Sequence, residues 1–189
     1  MTELLIRLTR NVGGGSTLRC DRVDGTATWQ THRGKQASFF PMHDLVHYAV
    51  ETHLGFRRGF YGLIAEGWDI PDTEGRGPRG PLPPEALTVE NLVGLLFNER
   101  SCGAVWTEEL FNAQMASIAV LNTRQAAFQL SEDDLFGVRS CIHDLFGRWN
   151  STAPNGTLSL WFERQSHRKG GPVPFDGEAI DNQAGTRTV

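Results

Sequence analysis

His43 and His47 stand four residues apart in the run His43-Asp44-Leu45-Val46-His47, a spacing that sets two imidazoles side by side on one helical face with a carboxylate between them in sequence. Such rings lie about 5–6 Å apart at Cβ, close enough for both to reach one ion at zinc–nitrogen distances of about 2.0–2.1 Å. The chemistry this suits is metal binding. With a suitably placed carboxylate, it extends to metal-assisted proton transfer and hydrolysis. The same two histidines plus one carboxylate also match the facial triad of non-haem iron enzymes, so zinc is favoured and iron is the alternative.

A helical projection starting from His43 puts His47 near about 40° and Glu51 near about 80°, while the apolar residues centre near about 260°. The polar stripe therefore runs along the edge of the greasy one. Glu51 lies too far along the helix, roughly 12 Å from His43, to share an ion with both histidines. It is expected instead behind the site, as an acceptor for a ring N–H of His47. The third ligand should come from another element, and Glu66, eighteen intervening residues after His47, is the nearest candidate if Gly55 turns the chain back. His53 projects away from the pair and reads as structural.

His43-Asp44-Leu45-Val46-His47, followed by Glu66 within Leu63-Ile64-Ala65-Glu66-Gly67-Trp68-Asp69, resembles the His-Glu-x-x-His helix and downstream glutamate of the gluzincin metallopeptidases. The resemblance implies His43, His47 and Glu66 as zinc ligands and Asp44 as the general base. Asp44 stands where that family has glutamate and is shorter by one methylene. Its carboxylate is therefore expected to sit back by more than about 1 Å, so that metal binding is retained more readily than peptidase activity. The competing reading is a non-catalytic binding or assembly module in which His43, His47 and Glu51 form a hydrogen-bonded network.

The elements that must position these groups can be read from the spacing. Apolar residues at 42, 45, 46, 49, 50 and 54 predict a helix that opens near Pro41 and stops at Gly55. Upstream, Leu4 to Thr9, Thr17 to Val23 and Thr26 to Thr31 read as three strands. They are broken by Gly13-Gly14-Gly15-Ser16 and by the Asp24-Gly25 turn signal, which predicts two hairpins. A short helix is expected over 58–66, weakened by Gly59 and Gly62. Residues 69–84, with five prolines and three glycines, predict a surface loop. Helices follow over 86–99, 107–128 and 132–149, the last two opening on cap-like Thr107-Glu108-Glu109 and Ser131-Glu132-Asp133-Asp134. Leu158, Leu160 and Phe162 alternate as a late strand that could rejoin the N-terminal sheet. The expected class is α+β: antiparallel hairpins packed on four to five helices, as one domain over 1–169 with a loosely held tail over 170–189.

Composition narrows the partners. The 189 residues are 39% hydrophobic and 21% charged with a formal net charge of −4, neither disordered in character nor basic enough to favour a nucleic-acid duplex. A small-molecule or peptide substrate is the better expectation. No apolar run suits a membrane span or a signal peptide, and Cys20, Cys102 and Cys141 follow no disulfide or zinc-ribbon spacing, so a reduced cytoplasmic protein is expected. The aromatics Phe56, Phe60, Tyr61 and Trp68 could floor a pocket beside the histidines or simply pack the helices.

Overall fold

The computed structural model describes residues 3–34, 37–75, 77–121 and 128–163. Strands β1 (Glu3–Arg10), β2 (Ser16–Arg22) and β3 (Ala27–His32) form the two hairpins that the turn residues predict, and β4 (Thr157–Glu163) returns to pair with β1. All pairings are antiparallel, in the order β3-β2-β1-β4. The second hairpin closes where Arg22 N–H donates to the Thr26 carbonyl at 2.9 Å, with Gly25 at a positive φ of 84°.

Alternation assigns the faces. Leu4, Ile6, Leu8, Leu18, Cys20, Leu158, Leu160 and Phe162 point inward and are buried. Strand β3 departs from this pattern, because its inward positions are Thr28, Gln30 and His32. The sheet is therefore greasy at its centre and polar along one edge. Its outer face carries the threonine pairs Thr9–Thr157 and Thr17–Thr31, with Arg7 and Arg19 both paired to Asp21.

Five helices follow: α1 (Phe39–Leu54) and α2 (Phe60–Ala65), which lie against the sheet, and α3 (Pro84–Ser101), α4 (Glu108–Leu121) and α5 (Glu132–Asn150), which pack mainly on other helices. Helix α1 is the hub, packed against α5, α3, α2 and the sheet through Leu45, Val46, Ala49 and Val50. The α+β expectation, with hairpins first and a late strand, holds. Of the helix expected over 107–128, residues 122–127 lie outside the described residues, as does the tail over 170–189. The 69–84 loop is not wholly superficial: a short 3-10 turn at Ile70–Glu74 buries Ile70, whose N–H donates to Thr28 Oγ1 at 3.1 Å. No described helix is long and apolar enough to cross a membrane. Cys20 is buried and Cys141 half-buried, whereas Cys102 is exposed.

Candidate metal centre

Helix α1 ends on Gly55, which takes the left-handed conformation at φ 74° and donates its N–H to the Glu51 carbonyl. The chain then doubles back, so that α2 starts beneath the last turns of α1. Glu51, fully buried, closes this corner with its side chain. Its two carboxylate oxygens accept the backbone N–H groups of Tyr61 at 3.1 Å and Gly62 at 3.0 Å, satisfying two donors that the first turn of α2 cannot pair internally. The glycines that weaken this helix on paper make the contact sterically possible. A Cβ at Gly59 would stand 2.5 Å from the Glu51 carboxyl carbon, and one at Gly62 would strike the Arg57 carbonyl. Tyr61 adds a second tie, donating its hydroxyl to the Asp44 carbonyl at 3.1 Å.

His47 is held in that buried corner. Its Nδ1 stands 3.7 Å from Glu51 Oε1 and its Nε2 stands 3.6 Å from Glu90 Oε1, with the ring only 1% exposed as a residue. At these separations both contacts are electrostatic rather than hydrogen-bonded, and Nδ1 has no hydrogen-bond partner. The His43 ring lies 4.7 Å from that of His47 at 61°. Phe39 and Phe97 pack on its flank, and Phe60 packs on His47.

Among the described residues, His43, His47 and Glu90 form a group whose ligand atoms all lie within 4.8 Å of one another. Two ligands on a tetrahedral zinc are about 3.3 Å apart, so the set has to contract by roughly 1.5 Å to grip an ion. Glu90 is the member able to move, since its side chain is 42% exposed and projects from α3 across the gap.

The electrostatics agree with the geometry. Burial, reinforced by the neighbouring His47, holds the His43 imidazole down to about 3, so it is neutral and available as a ligand at ordinary pH. Burial would also depress His47, but the carboxylates of Glu51, Glu90 and Asp44 together outweigh it and raise its proton affinity. A field that holds a proton on that ring also favours a metal cation in its place. Asp44 is buried, its Oδ2 has no hydrogen-bond partner, and burial pushes its carboxyl up to about 7 against the opposing pull of His47.

These groups line a cavity of about 340 Å³. Its wall includes Gln30 and His32 from β3, Phe40 and Phe60, and Thr73 and Glu74 from the 3-10 turn. A larger cavity of about 700 Å³ lies at the Gly13-Gly14-Gly15 turn beside Trp149; among the described residues Arg10 is its one charged group, and no comparable set of ligands or acids lines it. No protein-family model, no curated protein and no solved structure matches this chain.

His43, Asp44 and His47 are thus brought to one pocket, with Glu51 immediately behind His47. Glu66 is not brought there. It sits at the far end of α2 as the residue that closes the helix, and its Oε2 accepts from Arg58 Nε at 3.1 Å. The carboxylate beside the histidines is Glu90, which sequence spacing misses because α3 reaches the site only through helix packing. Of the four aromatics suggested as a floor, Phe60 lines the pocket, Tyr61 is buried behind it, Phe56 packs on Phe128, and Trp68 joins Leu63 and Ala86 in a separate small cluster.

Proposed function

We propose that this protein binds one divalent metal ion through His43, His47 and Glu90 and uses it in the hydrolysis of a small molecule, with Asp44 as the group that takes and returns a proton. The observation that carries this reading is the convergence of two imidazoles and a movable carboxylate on one small cavity whose wall contains a buried carboxyl with one oxygen lacking a hydrogen-bond partner. Zinc is the favoured ion, and iron suits the same two-histidine, one-carboxylate set. A divalent ion there would act as a Lewis acid, polarising a substrate oxygen and acidifying water.

The residues contribute in distinct ways. His43 enters as a neutral imidazole. Glu51 lies against Nδ1 of His47 and so favours the tautomer that leaves Nε2 free toward Glu90 and the ion. Asp44 Oδ2, buried at the pocket wall, is poised to hold a proton near neutral pH. The gluzincin resemblance over residues 43–69 supports the two histidines and Asp44 in these roles. The position of Glu66 and the modest cavity favour a small substrate over a peptide.

Metal analysis of tag-free protein tests the proposal. About one zinc or iron per chain, lost in His43→Ala and His47→Ala while the circular dichroism spectrum is kept, is the expected result. A protein that stays metal-free and whose melting temperature is unmoved by added zinc or iron would sink it, leaving the histidines as a structural network around the Glu51 cap.

A further inference from the structure

The pocket is acidic and aromatic, and among the described residues no lysine or arginine lines it. Three nearby arginines among the described residues are engaged elsewhere: Arg58 with Glu66, Arg79 with Asp72, and Arg22 with Asp69. A site built for a carboxylate or phosphate substrate ordinarily supplies an arginine fork or a lysine. With a divalent ion held by two neutral imidazoles and Glu90, the carboxyl groups of Asp44 and Glu74 are still left over on the wall.

Two further features point the same way. Asp44 Oδ2 is buried in the wall without a hydrogen-bond partner, an electron-rich atom that favours a positive rather than a negative neighbour in the cavity. Phe60 and Phe40 line the same space, the latter stacked on His32 with centroids 3.9 Å apart, and aromatic faces attract cations. At about 340 Å³ the cavity is at the small end of ligand sites, which commonly run from about 300 to 1,000 Å³.

We infer that the pocket selects a small organic cation, an amine or a quaternary ammonium, with Glu74 as the charge that attracts it and Phe40 and Phe60 as its aromatic walls. The inference names the substrate class of the proposed metal site and rests on that reading for its catalytic meaning. The charge preference itself belongs to the pocket walls.

A series of one shape and three charges tests it: choline, its neutral isostere 3,3-dimethylbutan-1-ol, and the anion 3,3-dimethylbutanoate. Binding to the full chain is followed by ligand-observed NMR, with metal content measured on the same sample. Choline, which cannot coordinate a metal through its nitrogen, should bind about ten-fold more tightly than the alcohol, and the anion, whose carboxylate could ligate a metal, should not bind metal-free protein detectably. Glu74→Gln, an exposed position, should weaken choline about three-fold while leaving metal content and alcohol binding unchanged. Equal binding of choline and the alcohol, binding of the anion to metal-free protein, or no binding of choline would overturn the inference. Metal-free protein that still prefers choline defeats the metal reading alone. Stoichiometric metal without that preference defeats this inference alone.

Discussion

Nε2 of His47 on α1 stands 3.6 Å from Oε1 of Glu90 on α3, so the carboxylate that groups with both histidines among the described residues comes from a helix far along the chain. If this contact marks the ligand set, Glu90→Gln should lower zinc affinity by at least about ten-fold, since an amide oxygen is a weaker ligand than a carboxylate and carries no charge. Glu66→Gln should leave affinity unchanged, because that carboxylate is occupied by Arg58 at the other end of α2. Competition titration with a zinc-sensitive dye separates the two variants. Equal losses in both would show that the 3.6 Å contact is incidental.

The Glu51 carboxylate has a second duty, which predicts a stability loss that does not depend on metal. It is fully buried and accepts two backbone N–H groups, so Glu51→Gln keeps one acceptor and turns an NH2 toward a donor. The cost should be about 2–3 kcal/mol in urea unfolding of EDTA-treated protein. Gly59→Ala should destabilise through the same corner, because its Cβ would displace that carboxyl group. A Glu51→Gln protein as stable as the wild type would show that the cap contributes little.

How much of this was legible beforehand follows from where the interactions lie along the chain. The hairpins are local: Asp24-Gly25 and the glycine run announce them, and the alternation of Leu4, Ile6 and Leu8 sets the inner face. Helix α1 and its histidine pair are equally local, because the 3.6-residue period and the Gly55 stop lie within one stretch. Glu90 carries no such mark. It sits among Val89, Leu92 and Val93 as an ordinary polar position, and only the packing of α3 on α1 gives it meaning. Gly59 and Gly62 read as helix breakers because the Glu51 carboxylate that requires them comes from the preceding helix. Thr28, Gln30 and His32 do carry a local signal, because polar side chains at inward positions of a strand mark an edge facing a site rather than a core.

Asp44 should make the metal-free protein less stable as pH rises. Burial raises its folded carboxyl to about 7, while an unfolded aspartate titrates near about 3.9, so the folded state prefers the protonated form. That preference is fully stabilising below the unfolded value and is lost as pH climbs through about 7. Asp44→Asn mimics the protonated group at every pH. In EDTA-treated protein it should match the wild type near pH 4 and exceed it by on the order of 2–4 kcal/mol at pH 8. His43, depressed by burial, works in the opposite direction, removing stability as pH falls below about 6.5 in both proteins alike. A stability difference between the Asp44→Asn variant and wild type that is flat from about pH 4 to 8 would contradict the buried, unpartnered carboxyl.

Arg22 should control the mobility of the pocket wall without touching the metal. Its buried guanidinium leaves the inner face of β2 and donates to the Ile64 carbonyl at 2.7 Å, to the Trp68 carbonyl, and to Asp69 at 3.1 Å. The end of α2 and the start of the 3-10 turn are thereby tied to the sheet. That turn carries Thr73 and Glu74 onto the pocket, so the fork of Arg22 sets where they stand. Lysine can reach one of these acceptors but not all three, because it lacks the planar fork. Arg22→Lys is expected to cost about 1–3 kcal/mol in overall stability and to speed amide hydrogen exchange over residues 64–75. Zinc affinity should stay within about two-fold of the wild type, since His43, His47 and Glu90 hang from α1 and α3. Choline affinity, by contrast, should fall as Glu74 loses its fixed position. Faster exchange with unchanged choline binding would place the cation-attracting charge elsewhere in the pocket, and unchanged exchange would show that the sheet does not hold this wall.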